Sequence, residues 1–408
     1  MKKMKGSKEK IVLYPGMAGL TRDIIERMKA DGSELLSVDI MLTQRCNFKC
    51  IYCYAESGPE KINQLTMEEA KRIVDDSADL GVKIINMQGG EPLIWRPADW
   101  DNKAPADAFF HLVEYARDLF SEKRLSLNIV SFTDVAIIDK QKAERLAQIG
   151  VGLCCKLDSL EEEIQDKLLG VKGGARKIMQ GLQRLIGAGY GKEDMPLVST
   201  NTVVTALNYG GVVDVFSWSR RHNFKPFVIP VHMHGAAKKH SAMILYDKSS
   251  RGILNAGRIK GLFGKLAKID RDEFGIYWKA ESPWVENKAC SRHLGGIHVR
   301  ADGMIMPCSE APDFWALGDI RKDDFKKIVV SAKVKKFRDI YSHLHEYSKC
   351  SSQNCPLSKE GRCYGCRTRA YDDSGFDKKG NFDPSRLDPE SFFAGDPACW
   401  RGADIIER

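Results

Sequence analysis

Short apolar segments alternate with helix-like segments from residue 37 to residue 231. Six apolar runs have the length of strands: Val38–Leu42, Val82–Met87, Leu125–Val130, Val151–Leu157, Leu197–Val204 and Phe227–Val231. Between them, apolar positions recur at helical spacing, as in Met67–Leu80, Ala108–Leu119, Lys140–Gln148 and Ala175–Gly187. Repeated strand–helix units wind a parallel sheet because their crossovers are right-handed. The pattern predicts an α/β fold, an open partial (β/α)6 barrel with its active site at the C-terminal ends of the strands.

The remaining segments depart from this rhythm and indicate further domains. The hairpin signal in the last part is an Asp-Gly turn between Ile297–Arg300 and Met304–Met306. A glycine-rich stretch, Gly257–Gly264, precedes it. We expect four parts: an N-terminal cap (1–35), the partial barrel (36–235), a bridging region (236–285) and a loop-rich, cysteine-rich domain (286–408).

Composition narrows the picture mainly by exclusion. The 408 residues are 43% hydrophobic and 29% charged, which is typical of a globular protein and not of a disordered chain. The net charge of +8 is dispersed and gives no indication of a nucleic-acid partner. No apolar run approaches the roughly 18–20 residues of a membrane span, and the basic start lacks the apolar segment of a secretory signal. We therefore expect a cytoplasmic protein without a membrane partner.

The chain has twelve cysteines, and a reducing cytoplasm favours metal binding over disulfides for such a set. Cys46, Cys50 and Cys53 follow the first predicted strand with the spacing Cx3Cx2C. Three thiolates in one loop can bind three irons of a 4Fe–4S cube and leave the fourth iron without a protein ligand. A zinc site is the alternative, but this loop has no nearby fourth ligand for it.

The segment resembles the radical S-adenosylmethionine (SAM) enzymes. In that family the motif is Cx3CxφC, and Tyr52 stands at the aromatic position φ. The family also carries a Gly-Gly-Glu motif after the second strand, as in Gly89-Gly90-Glu91 here. The resemblance, which spans residues 37–231, implies that SAM binds the open iron and is cleaved to a 5′-deoxyadenosyl radical that abstracts hydrogen from a substrate. It also implies an external electron donor such as flavodoxin or ferredoxin.

The same resemblance implies a set of SAM-binding residues. The glycines lack Cβ atoms, so the backbone can approach the methionine end of SAM, although a Gly-Gly pair can also be a simple turn. Polar residues on the fourth and fifth strands have the types that the family uses for the ribose and carboxylate, or they merely line the barrel. The resulting candidates are Tyr52, Gly89, Gly90, Glu91, Lys156, Asp158, Ser199 and Asn201.

Seven cysteines lie between residues 290 and 399. A zinc ribbon would use only four of them. Cys290, twelve residues, Gly303, four residues and Cys308 resemble the opening of the SPASM domain, although the middle spacing, Cx4Cx7Cx2C, departs from the family's Cx2Cx5Cx3C. The resemblance implies two auxiliary iron–sulfur clusters of the 4Fe–4S type. Its ligand sets would be Cys290, Cys308 and Cys366 for the first, and Cys350, Cys355, Cys363 and Cys399 for the second.

The first of these sets leaves one iron either open or bound by a ligand that the sequence does not identify, with His293 as a candidate. Two cysteines remain. Alternate residues of a strand share a face, so Cys154 should point with Lys156 and Asp158 into the barrel lumen, and Cys155 toward the helices. A lumen thiol can be catalytic by donating hydrogen to a substrate radical, but a buried cysteine is usually a packing residue.

We consider two classes of substrate. The first is a small polar metabolite, such as a sugar, aminocyclitol or nucleoside derivative, that is oxidised, dehydrated or epimerised. The alternative is a peptide or protein, as for maturases that form crosslinks or oxidise side chains. About 35 residues precede the first strand, fewer than a leader-binding domain needs. This short segment counts against a leader-dependent peptide maturase. Sulfatase-maturing relatives have Asp directly after the second SPASM cysteine, whereas Ser309 follows Cys308 here. That difference counts against sulfatase maturation, although Glu310 could substitute for the Asp. A pure electron carrier would need neither Gly89-Gly90-Glu91 nor an open iron.

The cysteine count predicts the metal content. Anaerobically reconstituted protein should bind about twelve irons, because three cubes carry four irons each. Replacing Cys46, Cys50 and Cys53 with Ala should abolish SAM cleavage and leave about eight irons in a folded chain. Iron and zinc analysis checks this, and saturation at four irons plus one zinc would contradict the auxiliary clusters.

Overall fold

The structure, a computed structural model, describes most of the chain from residue 35 to residue 400. The residues left out within this span are 102–105, 242–245, 248–251, 254, 288–289, 291, 343–354, 361–362, 364 and 378–380. Apart from Leu35, the expected N-terminal cap lies outside the described residues, and so does Cys350.

Six parallel strands form the barrel wall in the order in which they occur along the chain. They are β1 (Ser37–Thr43), β2 (Ile84–Gly89), β3 (Asn128–Thr133), β4 (Gly152–Lys156), β5 (Val198–Val204) and β6 (Lys225–Pro230). The helices among them are α1 (Met67–Asp79), α2 (Asp107–Glu122), α3 (Lys140–Gln148), α4 (Glu162–Leu169), α5 (Gly174–Gly187) and α6 (Val212–Arg221). The predicted α/β class and partial (β/α)6 barrel are confirmed.

Local sequence signals explain where these elements begin and which face they bury. Thr66 and Glu69 form a reciprocal capping box at the start of α1, with Glu69 N donating to Thr66 Oγ1 at 3.0 Å. In β1, Val38, Ile40 and Leu42 pack in the core against the helices. The alternate residues, including Asp39, lie on the opposite face of the strand and are also buried. The inner face therefore carries buried polar side chains, which a functional site inside the barrel can use.

The cysteine-rich part extends the same sheet. Three strands, β9 (Gly296–Val299), β10 (Met304–Met306) and β11 (Gly318–Asp319), continue it beyond β1. The predicted hairpin is confirmed by the antiparallel pairing of β9 with β10. The pairing of β9 with β1 is parallel, Ser37 opposite Gly296, and the sequence pattern did not predict it. It joins the two ends of the described chain in a single nine-stranded sheet.

The bridging region contains a 19-residue helix that includes the glycine-rich stretch. This helix, α8 (Ala256–Phe274), follows the short helix α7 (Ala236–Lys239) and the two-stranded β7 (Tyr246–Asp247) and β8 (Gly252–Ile253). Its glycines cost helix stability, but Ile259, Leu262, Phe263 and Leu266 recur at helical spacing and are all buried. Packing against the barrel therefore outweighs the propensity of the glycines.

Shorter helices complete the cysteine-rich part. They are α9 (Arg292–Gly295), α10 (Phe325–Val329), α11 (Ala332–Ser342), α12 (Pro356–Lys359) and α13 (Arg367–Asp373). Single 3-10 turns occur at Pro92–Ile94, Tyr209–Gly211, Val285–Asn287, Asp313–Trp315, Pro384–Arg386 and Pro389–Phe393.

A buried ion pair fastens α8 to the barrel and generates a stability prediction. Arg220 donates to Asp270 from Nε at 2.8 Å and from Nη2 at 2.6 Å, and Asp270 is fully buried. Replacing Asp270 with Asn should destabilise the protein by about 3 kcal/mol, because it leaves a buried guanidinium incompletely compensated. The midpoint of anaerobic urea denaturation measures the loss.

The matched control lies on the same helix. Asp272 pairs with Lys268 and Arg271 at the surface, so Asp272→Asn should leave the midpoint close to that of the wild type. Equal effects of the two substitutions would contradict the role given to Asp270.

Candidate functional site

The cysteine loop lies at the C-terminal end of β1. Cys46, Cys50 and Cys53 all line one cavity in the barrel. Backbone hydrogen bonds hold the loop from outside: Lys49 N and Ile51 N donate to Leu169 O and Leu168 O at the end of α4, each at 3.0 Å. These bonds fix the loop independently of any bound group, so three sulfurs are presented to the cavity together.

The surroundings of these thiols fit a cluster better than a set of free cysteines. Burial raises the pKa of Cys46 and of Cys50, and the charges of neighbouring thiols and carboxyls add to the increase for both. Thiolates are therefore unfavourable there without a cation. Iron removes that penalty on binding, because the metal requires the deprotonated ligand.

The Gly89-Gly90 pair has a neighbour that the sequence did not reveal. A Cβ on Gly89 would lie 2.4 Å from Thr43 O, and one on Gly90 would lie 2.0 Å from Arg45 O. The backbone also pairs there, with Gly90 N donating to Thr43 O at 2.7 Å. Both glycines line the cavity, but the space freed by their missing side chains is filled by the backbone that leads into Cys46.

Glu91 is not among the residues of the cavity wall. It is fully buried and accepts hydrogen bonds from Leu93 N at 3.0 Å, Thr133 Oγ1 at 2.9 Å and Asp134 N at 2.7 Å. Burial and the charge of Asp134 raise the pKa of Glu91 well above its usual range. In this arrangement Glu91 ties the end of β2 to the end of β3.

Asp134 lies beside the cysteine loop, and the sequence analysis missed it. It accepts two hydrogen bonds from Asn47 Nδ2, at 2.9 and 3.2 Å, and its Oδ2 is 3.9 Å from Cys46 Sγ. Burial raises the pKa of Asp134 to about 6. The available sequence signal was the polar Asn47 between two cysteines of the motif, together with an acidic residue directly after the third strand.

Asp158 organises two of the predicted SAM-binding residues. It accepts from the Tyr52 hydroxyl, pairs with Lys156 Nζ at 2.8 Å, and accepts from Val203 N at 2.9 Å. The Lys156 ammonium also lies 4.4 Å from the centre of the Tyr52 ring. Tyr52 and Lys156 line the cavity, whereas Asp158 does not. Asp158 therefore orients the two side chains from behind.

Of the two SAM-binding candidates on β5, one lines the cavity and the other does not. Asn201 lines the cavity, and its buried Oδ1 has no hydrogen-bond partner among the described residues. Such an acceptor fits a donor group of a bound cofactor. Ser199 is fully buried, donates to Leu153 O at 3.2 Å, and is not in the cavity wall.

Cys154 lines the cavity and Cys155 packs in the main core, as the alternation along β4 predicts. Burial raises the pKa of Cys154 to about 12. The thiol is thus held in its S–H form at neutral pH.

The opposite wall of the cavity contains cysteines of the C-terminal part: Cys290, Cys308, Cys363 and Cys366. The charges of Cys290 and Cys366 act on the Cys308 thiol, so these three residues of the first predicted set are close neighbours. Cys363, assigned by resemblance to the second set, also reaches this wall. Cys355 begins α12 and Cys363 N donates to Leu357 O in that helix at 3.1 Å.

An unpredicted network of charged residues borders the same wall. His232 Nδ1 bonds to Glu310 Oε2, and its Nε2 lies 3.1 Å from Asp372 Oδ2. Asp372 also pairs with two further groups: His234 Nδ1 lies 2.9 Å from its Oδ2, and Lys238 Nζ lies 2.9 Å from its Oδ1. Burial alone would raise the pKa of Glu310, but the His232 charge lowers it to about 2.

A partial barrel whose strand ends hold a three-cysteine loop, facing further cysteines across one cavity, defines an iron–sulfur enzyme. The family model described as the Radical SAM superfamily matches residues 40–218, and the SPASM model, an iron-sulfur cluster-binding domain, matches residues 290–356. The chain therefore belongs to the radical SAM superfamily, in its SPASM subgroup. It is an enzyme that uses SAM, a barrel 4Fe–4S cluster and auxiliary iron–sulfur clusters.

Similar proteins agree with this assignment. The chain is 27% identical over 353 residues to the AdoMet-dependent heme synthase of Methanosarcina barkeri (strain Fusaro / DSM 804), covering 82% of this chain and 91% of that protein. It is 24% identical over 350 residues to the antilisterial bacteriocin subtilosin biosynthesis protein AlbA of Bacillus subtilis (strain 168), covering 83% and 68%.

The fold also matches a solved structure, native anSMEcpe with bound AdoMet and Cp18Cys peptide. The TM-score is 0.59 at 18% identity, over 91% of this chain and 96% of that one. Among the described residues, no helix has the length and apolar character that crossing a membrane requires.

Bound SAM and its cluster supply a carbon-centred radical that abstracts hydrogen. The residues of this chain that would surround these groups line one cavity: the three thiols that would hold iron, and Tyr52, Lys156 and Asn201, which the resemblance assigns to SAM.

The close approach of Gly90 to the cysteine loop generates a prediction. Gly90→Ala should displace Arg45 and Cys46, because its Cβ would overlap Arg45 O and lie 2.9 Å from Cys46 Cβ. We expect loss of about four irons per chain and of 5′-deoxyadenosine formation, with the auxiliary clusters retained. Iron analysis and chromatography measure both.

Gly261→Ala is the control, since a Cβ at that helical position meets no atom within 4 Å. It should keep full iron content and activity. A Gly90→Ala protein with normal iron content would show that the loop tolerates the displacement.

Proposed function

We propose that this enzyme modifies a side chain of a peptide or protein by hydrogen abstraction, oxidising it or joining it to a second group. This is the alternative of the sequence analysis and replaces the small polar metabolite as the preferred substrate class. The observation that carries the proposal is the apolar, aromatic character of the cavity between the two groups of cysteines.

Large apolar and aromatic side chains form much of the cavity wall, beside the polar groups already described. Phe132, Val203, Phe227, Ile229 and Trp284 contribute large apolar surfaces. Phe227 and Trp284 face each other with ring centres 6.2 Å apart. A hydroxyl or amino group of a ligand placed against these particular side chains would lose its water without gaining a partner, at a cost of about 1–3 kcal/mol. An apolar or aromatic side chain fits them.

A second cavity supports an extended substrate. It shares Tyr54 and Ser309 with the first one and is lined largely by polar residues, among them Gln44, Asn63 and Asp302. A peptide could place a reacting side chain in the apolar cavity and its polar backbone along the second. The similarity to AlbA, a protein named for subtilosin biosynthesis, also supports a peptide substrate.

A second candidate substrate is a heme-type macrocycle. The similarity to the AdoMet-dependent heme synthase extends over 91% of that protein. A large apolar ring suits the aromatic walls, and its carboxylates would need a cation. Arg292 lines the cavity, although it already pairs with Asp39 at 2.8 Å.

Three further features complete the proposal. Cys154 is a candidate hydrogen donor to a substrate radical, since its S–H lines the same cavity. The bound auxiliary clusters supply an acceptor for electrons from an oxidised substrate. The enzyme operates in the cytoplasm, where thiols stay reduced and a donor such as flavodoxin or ferredoxin is present.

Fractionated extract of the source cells tests the substrate class. The peptide fraction should increase 5′-deoxyadenosine formation by the reduced, reconstituted enzyme, because a bound substrate consumes the radical productively. Protease treatment of that fraction should remove the increase. Stimulation confined to a low-mass, protease-resistant fraction would contradict a peptide substrate and favour the metabolite or the macrocycle.

Trp284→Ala separates binding from radical formation. It should keep the slow SAM cleavage seen without substrate and lose the stimulation, because it removes an aromatic wall of the cavity. Trp218→Ala is the control, since Trp218 lies on α6, outside the cavity wall. It should respond to the peptide fraction as the wild type does.

A further inference from the structure

The first auxiliary cysteine set has one ligand too few for a cube. Cys290, Cys308 and Cys366 supply three thiolates for four irons. The fourth iron is closed if a protein group binds it and open to substrate if none does.

A carboxylate lies where that fourth ligand is needed. An oxygen of Glu310, Cys366 Sγ and a nitrogen of His232 all lie within 4.8 Å of one another. Glu310 is two residues beyond Cys308, in a turn closed by Ala311 N donating to Cys308 O at 3.2 Å. The Glu310 charge acts directly on the Cys308 thiol. The side chain therefore adjoins two of the three thiolates.

His232 cannot take the ligand position itself. Both of its ring nitrogens face carboxylate oxygens, Nδ1 facing Glu310 Oε2 and Nε2 facing Asp372 Oδ2. Since each nitrogen already lies against a carboxylate oxygen, iron at either nitrogen would displace that contact. His232 instead holds one oxygen of Glu310, while the other, Oε1, makes no hydrogen bond among the described residues. Metal-bound carboxylates are commonly held in this way by a second hydrogen-bonded group.

His293, the candidate from the sequence, lines the same cavity as these residues. It is not part of the group of ligand atoms that Glu310, Cys366 and His232 form among the described residues. Its ring packs against Phe337 with centres 5.9 Å apart.

We infer that the Glu310 carboxylate is the fourth ligand of the first auxiliary cluster and that His232 and Asp372 position it. The cluster is then closed by the protein, and the substrate meets it without binding to its iron. This inference does not depend on the identity of the substrate.

Cyanide is the probe that tests the inference. The experiment uses the full chain with Cys46, Cys50 and Cys53 replaced by Ala, so that only auxiliary clusters contribute to the electron paramagnetic resonance spectrum. With Glu310 present, saturating 13C-cyanide should leave the reduced spectrum unchanged. With Glu310→Ala, the signal of one cluster should convert completely and acquire 13C coupling, because an iron has lost its ligand.

Three further variants keep the result unambiguous. Glu310→Cys should block cyanide again and lower the midpoint potential of that cluster, since a thiolate donates more charge than a carboxylate. Ser309→Ala should resemble the parent, because the Ser309 hydroxyl accepts a hydrogen bond from Arg292 at 3.1 Å and, among the described residues, makes none with Glu310 or the three cysteines. Glu310→Gln, which preserves side-chain size, replaces Glu310→Ala if the latter does not fold.

Several outcomes would overturn the inference. Cyanide binding with Glu310 in place would show an open iron. Cyanide access created by Cys363→Ala and not by the Glu310 variants would assign the position to Cys363, which lines the same wall. Failure of cyanide to bind in both Glu310→Ala and Glu310→Gln would show that Glu310 does not close the site.

Discussion

The parallel pairing of β9 with β1 is the constraint on which the site depends. β1 would otherwise be the open edge of a partial barrel, with unpaired backbone groups. The pairing is reinforced by a buried ion pair, Arg292 with Asp39 at 2.8 Å, and by Asn86 donating to Asp39 at 2.6 Å. Arg292 also donates to Ser309 at 3.1 Å. One side chain thus connects the barrel wall to the loop that follows Cys308 and holds the two groups of cysteines on facing walls.

Residues that are not ligands hold the cysteine loop in place. Its backbone is bonded to α4 on one side and to the Gly89-Gly90 segment on the other. Glu91 fixes that segment to β3 through three hydrogen bonds. Each of these bonds joins protein groups, so the loop that carries the ligands is supported from both sides by residues that are not ligands themselves.

The six strands, their helices and the cysteine loop could be predicted because their signals are local: apolar period, capping residues and cysteine spacing. The β9–β1 pairing could not, since it joins segments about 260 residues apart and parallel pairing leaves no turn signal. Helix α8 was not predicted: its glycines are poor helix formers, and the helical spacing of Ile259, Leu262 and Phe263 is what the packing uses. The network of Glu310 with His232 and Asp372 is assembled from three separate elements, and no spacing in the sequence encodes it.

The origin of the cavity residues explains why the motifs identify the cofactor and not the substrate. The cavity residues that the resemblance assigns to SAM, such as Tyr52 and Lys156, belong to the barrel, whose motifs are recognisable. Trp284, Arg292 and Glu310 come from the bridging region and the cysteine-rich part, where local signals are few. The recognisable motifs and many of the residues that line the rest of the cavity therefore come from different parts of the chain. The two parts are not independent, because the pairing of β9 with β1 and the Arg292–Asp39 ion pair join the wall that carries the motifs to the wall that does not.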